Sequence, residues 1–155
     1  MTIKKLITVP NEILRKKSEK IEKVGKDEKN LIKDLFETMY HHKGIGLAAI
    51  QVGIPKRIIV LDVIQKEEQK NPLCFINPII KNLSDEKSKY EEGCLSIPNT
   101  FIEIERPKKC LVEYIDIDGK KKYMECDNLL STCIQHEVNH LDGKLIIDFL
   151  SKLKK

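Results

Sequence analysis

The chain has 155 residues, 41% of them apolar, a composition that supports one folded domain with its own core and excludes a disordered or fibrous protein. Its formal net charge is only +4, from 28 Lys and Arg against 24 Asp and Glu, and the scattered lysines carry no interleaved aromatics, which excludes nucleic-acid binding as the main activity. No apolar run approaches a membrane span, and Met1-Thr2-Ile3-Lys4-Lys5 lacks both a signal-peptide core and an Arg-rich presequence, so a cytoplasmic location is expected.

Val9-Pro10-Asn11 ahead of Glu12-Ile13-Leu14-Arg15 predicts a turn entering a short helix. Asp27 is the expected N-cap of a longer one. Leu31, Ile32, Leu35, Phe36 and Met39 recur at helical spacing and carry that helix to about His42. His41 and His42 are adjacent, so they point about 100° apart around the axis, a poor arrangement for chelating one ion. They read as surface residues favoured by the helix C-terminal dipole.

Residues 44–53 break the helix. Strands are predicted at 57–63, 74–80, 101–105, 111–117 and 121–125, where residues are β-branched or alternate apolar with polar. The charged stretch 65–71 (QKEEQKN) reads as a loop, Asp118-Gly119 as a hairpin turn, and Pro72 and Pro78 as strand punctuation. Asp127 is the expected cap of the last helix and Gly143 its stop. Along that helix Leu129, Cys133, His136 and His140 form a stripe, with Leu130, Ile134, Val138 and Leu141 on adjoining faces. Lys152, Lys154 and Lys155 make a small basic tail, read as a solvated end with at most weak attraction to an anionic surface such as a ribosome. Helices, then many strands, then a helix predict an α+β fold rather than alternating βαβ units.

The five cysteines are Cys74, Cys94, Cys110, Cys126 and Cys133. An odd number without C-x-x-C reads as reduced core thiols, one of them open to a ligand role.

His136-Glu137-Val138-Asn139-His140 carries the chemistry. In a helix, residues i and i+4 share a face about 6 Å apart along the axis, so two imidazoles can close on one metal ion. The glutamate between them can handle a proton from activated water. The pattern alone also fits a helix whose buried histidines bond to backbone carbonyls. A metal would need at least a third protein ligand. No Glu or His follows His140, and Ile146 stands where a metzincin would carry its last histidine, so the common zinc proteases are disfavoured. Cys133 lies about 10 Å along the axis from His140 and cannot focus on the same ion. Cys94, in Glu91-Glu92-Gly93-Cys94-Leu95-Ser96-Ile97-Pro98, is the better upstream candidate, because Gly93 permits close approach and a metal favours the thiolate. By residue type it reads more readily as a small core hydrophobe, and the residues alone leave both open.

Three stretches together resemble the peptide deformylase family. Gly44-Ile45-Gly46-Leu47-Ala48-Ala49-Ile50-Gln51 resembles G-x-G-x-A-A-x-Q, Glu92-Gly93-Cys94-Leu95-Ser96 matches E-G-C-L-S, and Gln135-His136-Glu137-Val138-Asn139-His140 resembles Q-H-E-x-D-H. The order and spacing are family-like, from Val9-Pro10 to Leu150. The resemblance implies a metal-dependent hydrolase that removes the N-formyl group from the initiator N-formylmethionine of nascent polypeptides and releases formate. It implies Cys94, His136 and His140 as metal ligands with water at the fourth position, and one divalent ion, natively Fe(II), with Zn(II), Ni(II) or Co(II) able to substitute. Glu137 is then the proton carrier, with the Gln51 amide and the Leu95 N–H as oxyanion donors. Gly44, Ile45, Gly46 and Gly93 are implied to line the peptide cleft, where main-chain groups can pair with an extended substrate. Leu130 and Ile134 are expected in the methionine pocket, and Arg106 as the partner of Glu92. The implied architecture is α+β, with antiparallel sheets packed around a central C-terminal metal-binding helix and with N-terminal helices. Residues 1–155 are expected to form a single catalytic domain. N-formylmethionyl nascent peptides are the implied partners, with transient ribosome contact and no membrane.

This chain departs from the pattern at Asn139, where an acid is usual, at Ile50, where Thr or Pro is common, and at Phe101, where many relatives carry arginine. A peptidase or amidase of other specificity, or a non-catalytic peptide-binding homologue, is the alternative reading.

Overall fold

The protein is described as a computed structural model, covering residues 2–64 and 70–153. Most of the expected 65–71 loop, and Lys154 and Lys155 of the basic tail, lie outside the described residues.

A five-stranded antiparallel sheet has the order β1 (Gly46–Ala48), β2 (Ile58–Leu61), β3 (Leu73–Lys81), β6 (Lys109–Ile115), β7 (Lys121–Asp127). A separate hairpin pairs β4 (Lys87–Cys94) with β5 (Ile97–Pro107). Helix α1 (Lys26–His41) covers one face of the large sheet and α2 (Asn128–Leu141) the other. The period-2 alternation of a strand explains how Ile58-Ile59-Val60-Leu61 can be apolar throughout. Ile58 and Val60 pack with Leu31, Ile32, Leu35 and Met39 of α1, whereas Ile59 and Leu61 pack with Cys133, Ile134 and Leu141 of α2. A third cluster, built on Leu14, Ile97, Ile102, Ile104, Leu145 and Ile146, lies under the hairpin. α2 is therefore held between the two sheets, as expected for the helix that carries the histidines. A short α3 (Asp148–Leu153) follows.

Local signals account for most element ends. The Asn11 side chain accepts from the Ile13 N–H and opens a 3-10 turn at Glu12–Arg15. Pro78 lies where the β3–β6 register shifts, and the preceding Asn77 has φ +51°. That agrees with proline being confined to bulges and edges. Asp118-Gly119 forms the β6–β7 turn, with Asp116 Oδ1 accepting from the N–H groups of Asp118 and Lys120. Gly143, at φ +74°, ends α2; the Lys144 N–H returns to the Asn139 carbonyl. A Cβ at Gly143 would fall on the Arg15 carbonyl.

Several expectations are corrected. α1 is capped at Gly25, not Asp27, because the Glu28 carboxylate reaches back 2.8 Å to the Gly25 N–H. Asp127 holds the N-cap position of α2, but its side chain makes no capping hydrogen bond. β1, β4 and the 3-10 turn Ala49–Val52 were not among the predicted elements. No helix among the described residues is long and apolar enough to cross a membrane.

Candidate active site

A cleft of about 410 Å³ opens between β1, the β4–β5 hairpin and α2. Gly44, Ile45, Gly46, Gln51, Gly93 and Cys94 line it, together with Leu95, His136 and Glu137. His140 lies just behind, 1% exposed, with Nε2 3.3 Å from Cys94 Sγ. One donor atom each from Cys94, His136 and His140 falls within 4.8 Å of the others, and no other such group of His, Cys, Asp or Glu exists among the described residues. The elements produce this convergence. The i, i+4 spacing stacks His136 on His140, with ring centroids 5.1 Å apart, and the β4–β5 turn delivers Cys94 from the hairpin.

Behind His136 is a buried relay. Its Nδ1 lies 2.9 Å from Glu92 Oε1. Arg106 grips the same carboxylate with two bonds, Nε to Oε2 at 2.7 Å and a terminal nitrogen to Oε1 at 3.0 Å. Its remaining nitrogen donates to Asn139 Oδ1 at 2.8 Å. Burial alone would raise the Glu92 pKa, but the bonds from His136 and Arg106 outweigh it and hold the carboxyl below its ordinary range. An ionised carboxylate only accepts, so Nδ1 carries the proton and Nε2 is left facing the cluster. Burial opposes protonation of the His136 ring, yet Glu137, Cys94 and Glu92 together push its pKa up to about 10. Burial, with the charges of His136 and Arg106, drives His140 well down and keeps it neutral. A Cys/His/His donor set inside so anionic a surround suits a divalent cation, which would take the place of the extra proton on His136.

Glu137 is 5% exposed, and its pKa rises to about 7 because burial penalises the carboxylate. Its Oε1 has no hydrogen-bond partner among the described residues, and Oε2 is 3.9 Å from His136 Nε2. A Cβ at Gly46 would sit 2.6 Å from Glu137 Oε2, so a side chain there would displace the carboxylate. Gln51 is pinned at its carbonyl by the Ala48 N–H at 2.9 Å, which turns its amide nitrogen towards Ser96 Oγ at 3.0 Å and Cys94 Sγ at 3.6 Å.

Comparison with known proteins identifies the family. The family model described as polypeptide deformylase matches residues 3–155. The peptide deformylase of Pelagibacter ubique is 57% identical over 155 residues, covering 100% of this chain and 90% of that protein. That of Rhizobium meliloti is 53% identical, covering 100% and 89%. The chain belongs to the polypeptide deformylase family. The crystal structure of the peptide deformylase from Ehrlichia chaffeensis superposes with a TM-score of 0.93 at 40% identity, covering 99% of this chain and 90% of that one. Another, of the same organism's enzyme in complex with actinonin, gives 0.91 at 41% identity, covering 99% and 92%. Polypeptide deformylases are metal-dependent hydrolases that remove the N-formyl group from nascent polypeptides, and that activity comes with membership.

Against the deformylase pattern, the three motifs meet in one cleft. Leu130 and Ile134 do not line it. They lie about a quarter-turn round α2 from the histidine stripe and pack on the large sheet, Ile134 fully buried. Leu129, Thr132 and Cys133 form that wall instead. Burial pushes the Cys133 thiol up to about 12, as suits a core thiol. Ile50 is likewise core. Phe101 is 67% exposed at the cleft mouth, its ring where a Cβ at Gly93 would be. His41 and His42 are exposed and edge-stacked on each other, apart from the cluster. Ser96 is fully buried and is the acceptor for Gln51, a support that its place in the E-G-C-L-S motif does not by itself single out.

Proposed function

We propose that this cleft is where the chain deformylates N-formylmethionyl nascent peptides, with Cys94, His136 and His140 holding one divalent ion and residues 1–155 acting as one catalytic domain. The observation that carries it is three convergent donors beside a buried carboxylate oxygen that has no hydrogen-bond partner among the described residues. The donor set is soft enough for Fe(II), Zn(II), Ni(II) or Co(II), and family membership supports Fe(II) as the native ion. When bound, the ion supplies a water nucleophile near neutral pH and polarises the formyl carbonyl.

The remaining steps fall to the chain's own groups. Glu137 takes a proton from the attacking water on its carboxylate and returns it to the amine nitrogen that leaves. The Gln51 amide, whose direction is fixed by the Ala48 N–H, keeps one N–H on Ser96 and offers its second, on the Cys94 side, to the carbonyl oxygen as negative charge develops there. The Leu95 backbone N–H is the second donor. Gly44, Ile45 and Gly46 align the substrate, which adds as an extended strand to the outer edge of β1, and Gly93 flanks it from the hairpin. Leu129 and Cys133 give the methionine side chain an apolar wall. The cytoplasm, where nascent chains are made, is the proposed compartment, with a transient ribosome contact through the basic tail.

The test is formate release from a formyl-methionyl peptide by anaerobically purified protein whose bound metal is quantified, with acetylated and unblocked peptides alongside. Wild type should release formate only from the formylated peptide. Glu137→Gln should keep its metal and lose about 10²-fold or more in rate. No formate from fully metallated wild type would end the reading, and equal cleavage of all three peptides would favour a general amidase.

A further inference from the structure

Phe149 lies in the first turn of α3, outside every motif that meets in the cleft, yet its ring reaches the charged relay behind His136. The Arg106 guanidinium carbon sits over that ring, 4.9 Å from its centroid. Two local causes bring them together. On β5 the inward positions run Ile102, Ile104, Arg106, so the guanidinium continues the apolar face of the hairpin. At the start of α3, Asp148 Oδ2 accepts from the Leu145 N–H at 3.0 Å and from Arg15 at 2.7 Å, which fixes the entry of the helix and sets Phe149 against that face. Phe149 packs in the cluster that holds Ile102 and Ile104, and Cys94 lies at the fringe of the same cluster.

All three guanidinium nitrogens of Arg106 are engaged at their edges. Two hold Glu92 and the third holds Asn139 Oδ1. Such bonds lie in the plane of the group and resist tilting out of that plane only weakly. The flat faces of a guanidinium carry no donor, so an aromatic ring is the group that can hold one of them. The attraction of the cation to the negative face of the ring opposes tilting, and the ring keeps water from competing for the Glu92 carboxylate. Arg106 is buried and Phe149 half-buried, so the contact is largely screened from solvent.

We propose that Phe149 is a positioning residue for the metal centre, through which α3 sets the orientation of His136. The path is short and every link is a direct contact: Phe149 on Arg106, Arg106 on both oxygens of Glu92, and Glu92 on His136 Nδ1. Glu92 fixes the ring of His136 so that Nε2 faces Cys94 and His140. A Glu92 carboxylate that shifts with a tilting Arg106 delivers that nitrogen less well. The C-terminal helix is thereby part of the metal centre without supplying a ligand. This role rests on the Cys94, His136 and His140 reading above.

The test is zinc affinity of the full chain, prepared metal-free and titrated in competition with a chelator, with urea unfolding of each variant alongside. Wild type should bind one zinc per chain. Phe149→Leu, which keeps an apolar side chain but no ring, should bind about 3- to 10-fold more weakly. Phe149→Tyr, which keeps the ring face, should restore the affinity to within about twofold of wild type. Ile146→Val thins the same cluster, so it should lower the urea midpoint and leave zinc affinity unchanged. In a Glu92→Gln background, Phe149→Leu should weaken binding no further, because the link it acts through is already cut. Equal affinity of Phe149→Leu and wild type, a tyrosine variant as weak as the leucine one, a matching loss in Ile146→Val, or additive losses with Glu92→Gln would each overturn the proposal while leaving the metal centre in place. A wild type that binds no zinc would overturn both. Phe149→Met repeats the comparison should the leucine variant fail to fold.

Discussion

Gln51 is held at one end of its amide and directed at the other, and its backbone carbonyl is anchored by the Ile7 N–H at 2.7 Å. A donor so fixed contributes to the transition state without having to be ordered first. Gln51→Leu should therefore lower kcat by roughly 10²-fold, about 3 kcal/mol, with a much smaller change in KM. An unchanged kcat in steady-state kinetics would remove Gln51 from the mechanism. Glu92 acts one step back, by orienting His136. Glu92→Gln should weaken metal affinity by about 10–100-fold in a competition titration against a chelator. Its folded pKa is lowered from 4.5, so its contribution to stability is complete above that value and is lost as pH falls through the folded value. The glutamine variant should show a shallower acid limb in stability against pH. An equally steep limb would place the acid sensitivity elsewhere. Asn139 fits the same relay: its neutral oxygen accepts from Arg106 without neutralising it, so the full charge remains for Glu92.

At the scale of elements, α2 was legible because its signals reinforce one another. A stripe of histidines, an apolar face and a terminal glycine all point to one helix in one orientation. Gly143 is the strictest of these, since its φ of +74° and the Arg15 carbonyl behind it exclude a side chain. Gly143→Ala should destabilise the protein by about 1–3 kcal/mol. An unaltered urea midpoint would show that the turn relaxes freely. β4 was illegible for a physical reason. Its sequence, KSKYEEGC, alternates in burial, but the inward positions after Ser88 are Tyr90 and Glu92. A glutamate can face inward there only because Arg106 meets it from β5, in line with Ile102 and Ile104. A hydropathy pattern cannot register a strand whose buried residue is charged and whose partner lies fourteen positions away. The α1 cap was missed similarly: Asp27 and Glu28 are adjacent acids, and it is the reach of Glu28 back to the Gly25 N–H that sets the start.

For the whole molecule, the α+β class and the convergence of three distant motifs could be anticipated, but the division into two sheets with a helix between them could not. That division leaves three hydrophobic clusters, none of which has the metal donors as members other than Cys94 at the fringe of one. Stripping the metal with a chelator should thus abolish formate release while leaving far-UV circular dichroism unchanged, and should lower the Tm by an amount that grows with metal concentration in the reference sample. Loss of helical signal on chelation would mean that the ion holds the fold together. β1, only three residues long, forms one margin of the large sheet. In the proposed binding mode, a guest that joins such a margin is gripped by its amides and carbonyls, groups every polypeptide shares, and only its leading side chain descends to the cluster. On that proposal the chain is discriminating about how a protein begins and indifferent to what comes after, which lets one small hydrolase serve an entire proteome.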